Sequence, residues 1–189
     1  MVINTLYIFV EGNDDELFFR RMLIPLFEKL YDKVNVFQYS QKKREKVENF
    51  LASIRFLDYD YVFVADRDER YSLNEKRHLL LHKYSNIEKE RLAIVINEIE
   101  SWFLAGIPTE FSRVFRLPAI ENTDETTKED FNQYYRGRFH SRIDFMQEIL
   151  KYWQLDLARR KNHSFDYFVN NYLKPCFEHV STEATGQIS

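Results

Sequence analysis

Apolar residues come in short runs within the first hundred positions, and each run stops at a polar group. Residues 6–10 read Leu-Tyr-Ile-Phe-Val and stop at Glu11-Gly12. Residues 61–65 read Tyr-Val-Phe-Val-Ala and stop at Asp66, and residues 92–96 read Leu-Ala-Ile-Val-Ile before Asn97-Glu98. Unbroken runs of this length predict strands buried on both faces. Residues 34–39 instead alternate, with Val34 and Val36 between polar neighbours, which predicts a further strand. Between the strands the period changes. Leu17, Phe18, Met22, Leu26 and Leu30 form a rough helical stripe, with Asp14 placed to cap it. Val47, Phe50, Leu51 and Ile54 give the best amphipathic helix, over residues 45–57. Residues 72–90 are highly charged and predicted helical, and residues 98–105 follow the last strand as another helix.

Strands alternating with helices predict an α/β protein with a parallel sheet of about four strands. From Pro108 onward no strand pattern is found. Residues 125–135, 141–152 and 164–177 predict helices, the last with Ser164 as its N-cap. The polar, acidic stretch 121–130 reads as a loop. These readings divide the chain into an α/β core over 1–107, a helical extension packed on it over 108–180, and a flexible tail over 181–189.

Composition narrows the possibilities. The chain has 189 residues, of which 44% are hydrophobic and 16% aromatic, enough for a proper core. With a net charge of -3, any attraction to nucleic acid must be local rather than global. The single Cys176 excludes an internal disulfide or a thiolate zinc cluster and reads as a small buried filler. No apolar run reaches membrane-spanning length, and the first residues lack the pattern of a signal peptide. The expectation is a cytoplasmic protein with no membrane association.

The candidate chemistry lies where the strands stop. Glu11 follows the first strand, Asp66 and Asp68 the third, and Glu98 and Glu100 the fourth. Open α/β sheets bind ligands outside the carboxyl ends of their strands. In a 2-1-3-4 strand order Glu11 and the Asp66–Asp68 pair converge. Crowded carboxylates repel one another unless a cation joins them. Oxygen-only donors suit Mg²⁺ or Mn²⁺, and Mg²⁺ leaves coordination positions for phosphate oxygens. Asp15 lies one helical turn after Glu11 and is the next candidate ligand.

The segments Tyr-Ile-Phe-Val-Glu11-Gly12-Asn-Asp-Asp15-Glu-Leu-Phe-Phe19 and Tyr-Val-Phe-Val-Ala-Asp66-Arg-Asp68 resemble the Toprim fold of topoisomerases, bacterial primases and OLD-type nucleases. The stretches Asn97-Glu98-Ile-Glu100-Ser-Trp102 and Asn162-His-Ser164-Phe165 look like the small stand-alone proteins of the RloB and DUF4276 kind. The resemblance implies a Rossmann-like three-layer α/β/α fold and a metal-dependent nuclease cutting DNA or RNA, with a role in antiviral (anti-phage) defence. It implies that Glu11, Asp66 and Asp68 are catalytic and hold one metal. Asp15, Glu98 and Glu100 are further metal candidates, the last two for a second ion. A general-base role for Glu11 is the other one open to it. Arg70 stands where topoisomerases and primases often carry a third acid, which speaks against those activities.

Basic residues flank the acids. Arg67 and Arg70 beside the pair, and Lys42, Lys43 and Arg44 ahead of the second helix, are the candidate nucleic-acid contacts. Arg159, Arg160 and Lys161 form another group. Each has a plainer reading as a solvated face. His78 and His82 are spaced like a zinc pair, with no third ligand evident. No Walker A loop or Gly-x-Gly-x-x-Gly occurs, so nucleotide hydrolysis is not expected of this chain alone. A second reading follows, in which the protein is the effector or binding subunit of an ATPase-containing defence system, silent until its partner engages. A phospho-aspartate enzyme built on the Asp-x-Asp pair is a third, weakened by Glu69-Arg70 behind it.

Overall fold

The computed structural model describes residues 3–118 and 120–173. The buried-filler reading of Cys176, the end of the helix expected to reach 177, and the tail expected over 181–189 lie outside the described residues. The protein is α/β. Four strands, β1 (Thr5–Val10), β2 (Lys33–Gln38), β3 (Asp60–Asp66) and β4 (Leu92–Val95), form one parallel sheet in the order β2-β1-β3-β4. This is the 2-1-3-4 order considered above for the strand-end acids. β1 sits between its neighbours in fixed register, Phe9 lying opposite both Phe37 and Phe63.

Helices α1 (Asn13–Phe18) and α2 (Ile24–Phe27) are joined by a π-turn, Phe19–Leu23. Pro25, near the start of α2, has no N–H to give back along the helix, and the ladder adjusts just before it. α3 (Arg44–Phe56) buries Val47, Leu51 and Ile54, the stripe its sequence period predicts. α4 (Leu73–Lys83) is shorter than the helix expected over 72–90, because Tyr84 N still donates to Leu80 but the chain then turns through a 3₁₀ segment, Lys89–Arg91. α5 (Glu100–Ala105), α6 (Thr109–Val114), α7 (Lys128–Tyr135), α8 (Arg142–Leu150), α9 (Leu155–Lys161) and α10 (His163–Phe168) follow among the described residues, and then a π-turn, Val169–Leu173. α6 and α9 are short, below the window in which a helical period stands out, and residues 128–130 belong to α7 rather than to a loop.

The chain divides into two compact units that interleave, changing over after residues 65, 73, 93 and 167. The first contains residues 3–65, 74–93 and 168–173. Its core is the sheet. Ile8, Phe9 and Val10 are fully buried, so β1 is apolar on both faces. The register explains an aromatic band across it. Phe9 stacks with Phe63 at 5.5 Å between ring centroids and lies 5.2 Å from Phe37; Phe50 of α3 covers both Phe37 and Phe9, at 4.7 and 5.6 Å. Each such pair is worth about 1 kcal/mol beyond burial.

The second unit contains residues 66–73 and 94–167. Its centre is α5, where Trp102, Phe103 and Leu104 are at most 2% exposed, as core residues should be. The expected N-cap at Ser164 is corrected by the structure. Asn162 Oδ1 accepts the Phe165 N–H at 2.9 Å and so caps α10, while Ser164 donates to that same oxygen at 2.7 Å and accepts the Trp102 indole N–H at 2.9 Å. Asn162 Nδ2 reaches the hydroxyls of Ser101 and Thr123, so four buried polar side chains satisfy one another.

Candidate functional site

In the first unit Glu11 directly follows Val10, the last residue of β1. Ser40 N and Oγ both donate to the Glu11 carbonyl, at 3.4 and 2.5 Å, continuing the β1–β2 ladder. The Glu11 carboxylate is met by Tyr39, whose hydroxyl lies 3.1 Å from Oε1 and 3.1 Å from the carbonyl oxygen of Val64. The Tyr39 ring is 3% exposed and packs on Phe63 at 4.3 Å, so its hydroxyl has little freedom. Asp15 is buried and accepts the Gly12 N–H at 3.1 Å, closing the first turn of α1. Gly12, not Asp14, is the N-cap; the first-turn acid that reaches back is Asp15.

In the second unit Asp66 is the last residue of β3, and the chain turns sharply behind it. Arg67 N donates to the carbonyls of Val95 and Asn97 at 2.9 and 3.1 Å, tying the ends of β3 and β4 together. Two residues past each strand the backbone enters the left-handed region, at Asp68 (φ 61°) and Asn97 (φ 58°). Asp and Asn are the side chains that tolerate this conformation best, yet it still costs energy, and such residues cluster at functional sites. The Arg67 guanidinium donates to Asn97 Oδ1 and is half-buried. The side chain thereby clamps the neighbouring turn. Arg70 is exposed and lies over the Tyr71 ring at 5.0 Å.

The two acids behind β4 are tied into the helices. Glu98 accepts the N–H of Lys128, the first residue of α7, at 2.6 Å. Glu100 is 3% exposed and ion-paired with Arg142, which also donates to Asn132 at 2.9 Å and lies 5.3 Å over the Phe131 ring. Burial pushes the Glu100 carboxyl above its ordinary range and Glu98 adds to this, while Arg142 opposes it. Among the described residues no group of three or more His, Cys, Asp or Glu side chains is arranged to hold a metal ion. His78 and His82 are exposed on α4.

Lys42, Lys43 and Arg44 stand exposed at the start of α3, with Lys43 as its N-cap. Cations at the positive end of a helix dipole disfavour the helix by a few tenths of a kcal/mol each, roughly, and an anion there removes the penalty. The group at 159–161 is partly engaged: Arg159 pairs with Asp166 at 2.7 Å and Lys161 Nζ donates to the Ile107 carbonyl at 3.2 Å, while Arg160 is exposed. Burial lowers the Lys161 pKa.

Tyr39 and Arg142 were not legible as site residues. Tyr39 ends an alternating strand on the same side as Phe37, which marks it as core rather than chemistry. Nothing in the sequence pairs Arg142 with Glu100, 42 positions away.

No protein-family model, no curated protein and no solved structure matches this chain. Among the described residues no helix is long and apolar enough to cross a membrane.

Proposed function

We propose that this chain is a Mg²⁺- or Mn²⁺-dependent phosphodiesterase, a nuclease of Toprim type acting on DNA or RNA. The pairing of β1 with β3 carries the reading. These strands are parallel neighbours, and each is closed by a carboxylate: Glu11 directly after Val10, and Asp66 as the last residue of β3. The carboxyl ends of such strands are where open sheets take their ligands.

The donors fit the ion. They are carboxylate oxygens, the chemistry of Mg²⁺ and Mn²⁺ rather than of zinc. Mg²⁺ is commonly held by one or two protein carboxylates plus substrate phosphates, so three pre-arranged acids are not required. The residues assigned to it are those the resemblance implies, Glu11, Asp66 and Asp68. Bound there, the ion supplies a polarised phosphoryl group and an acidified water. The chain's own work is positioning: Tyr39 orients the Glu11 carboxylate, and the Arg67 clamp with its left-handed flanks sets Asp68. Lys42, Lys43, Arg44 and Arg70 are exposed cations suited to the phosphate backbone.

The test is cleavage of supercoiled plasmid and single-stranded RNA by the purified chain in Mn²⁺. Glu11→Gln and Asp66→Asn should each cut at least about 100-fold more slowly, with circular dichroism and Tm unchanged. Two variants that cut at the parental rate would overturn the assignment. The rival reading, a subunit silent until an ATPase partner engages, separates in the same assay: the parent would cut neither substrate alone and would cut once the partner is added.

A further inference from the structure

We infer that the second unit carries its own nucleic-acid backbone site, on the face made by the turn after α6 and the turn after α7. The inference rests on the reading above for the identity of the partner; its evidence is separate.

Charge singles the face out. In a chain of net charge -3, residues 111–120 and 132–143 contain no Asp or Glu, and they carry Arg113, Arg116, Arg136, Arg138 and Arg142. Arg142 is committed to Glu100. Arg138 staples the two turns, its Nη1 donating to the carbonyls of Phe115 and Arg116 at 3.2 and 3.0 Å. Arg113, Arg116 and Arg136 are exposed and have no carboxylate partner among the described residues. Unlike Arg159, which pairs with Asp166, these cations face solvent without neutralisation.

Shape gives the charge a place to act. Between the two turns opens a hollow of about 330 Å³ lined by Val114, Phe115, Arg116, Gly137, Arg138 and Phe139. That is room for a phosphate with its sugar, at the small end of ligand sites. The turns themselves are locked: Gly137 takes φ 71°, and Arg116 takes φ 52°, a conformation disfavoured for a side chain of this kind. All the cations are arginine, whose planar fork matches phosphate oxygens two at a time. A membrane surface fits less well, because interfacial binding needs a helix with an apolar face, and α6 has six residues.

Binding of fluorescein-labelled single-stranded DNA and RNA of one sequence, followed by fluorescence anisotropy in EDTA, tests the site without cleavage. The variant is Arg113→Gln/Arg116→Gly/Arg136→Gln. Its glycine relieves the left-handed backbone at 116, so loss of binding is not loss of fold, which an unchanged Tm verifies. The parent should bind with strong salt dependence. The triple variant should bind at least about tenfold more weakly at low salt, with the slope of log K against log salt reduced by about 2. The DNA and RNA arms identify the sugar. Unchanged affinity and slope in the variant, parental binding that ignores salt, or loss of binding only to anionic vesicles would each overturn the proposal. Glu11→Gln should bind as the parent does, so failure of the nuclease reading and failure of this site give different results.

Discussion

The hydroxyl of Tyr39 lies at 3.1 Å from both Oε1 of Glu11 and the carbonyl oxygen of Val64. It has one proton for two acceptors. Of the two oxygens the carboxylate is the stronger acceptor, being charged. Tyr39 thus orients the Glu11 carboxylate. Tyr39→Phe should lower stability by about 1 kcal/mol, the net worth of one hydrogen bond. It should slow cleavage by about tenfold and raise the Mn²⁺ concentration needed for half-maximal rate. Thermal melts and a metal titration of the rate check both; an unchanged metal requirement would remove Tyr39 from the site.

Asp68 separates backbone from charge. Asparagine accepts the left-handed conformation at least as well as aspartate, so Asp68→Asn should change stability by less than about 0.5 kcal/mol while abolishing cleavage. Asp68→Val puts a β-branched side chain at φ 61° and should cost about 2 kcal/mol. Equal melting points for the two would show that the turn is not strained.

The Glu100–Arg142 pair is nearly dry, with side chains 3% and 18% exposed. Removing one partner strands the other. Arg142→Ala should destabilise by about 3 kcal/mol, whereas the double replacement Glu100→Leu/Arg142→Leu should recover most of that loss. Urea denaturation of the three proteins measures the coupling, and a double variant as unstable as Arg142→Ala would refute it.

His163 is held at the start of α10 by Asp124, which also accepts its backbone N–H at 2.8 Å. The Asp124 hydrogen bond raises the histidine pKa above 6.5. Because the folded value exceeds the unfolded one, the pair stabilises fully below pH 6.5 and the contribution fades as pH rises through the folded pKa. NMR titration of His163 should show a raised midpoint that Asp124→Asn moves back down. A midpoint indifferent to that change would rule out the pair.

Gly106 has no room for a side chain. A Cβ there would run into the Trp153 indole, whose Nε1 donates to the Trp102 carbonyl at 2.9 Å, while Gln154 N donates to the Gly106 carbonyl at 2.8 Å. Gly106→Ala should cost about 2 kcal/mol or more, read as a lowered urea midpoint; a parental midpoint would mean the indole moves aside freely.

What the sequence determined by itself were the features that repeat at short range. The apolar runs at 6–10, 61–65 and 92–96 are strands because a parallel sheet buried on both faces needs unbroken large side chains. Val47, Leu51 and Ile54 are buried because their spacing follows the helix. The strand-end acids at 11 and 66 were readable for the same reason, each being the first polar group after a run. Contacts between distant positions were not readable. Only the folded chain hands Tyr39 to Glu11, Arg142 to Glu100, and Asn162 to Ser101 and Thr123, 61 and 39 residues away. It also ties Arg67 to Asn97, 30 residues away, and leaves Arg113, Arg116 and Arg136 exposed. Local period reports which face of an element is apolar. Which polar group meets which depends on how whole elements are stacked, and that is decided by the packing of the core.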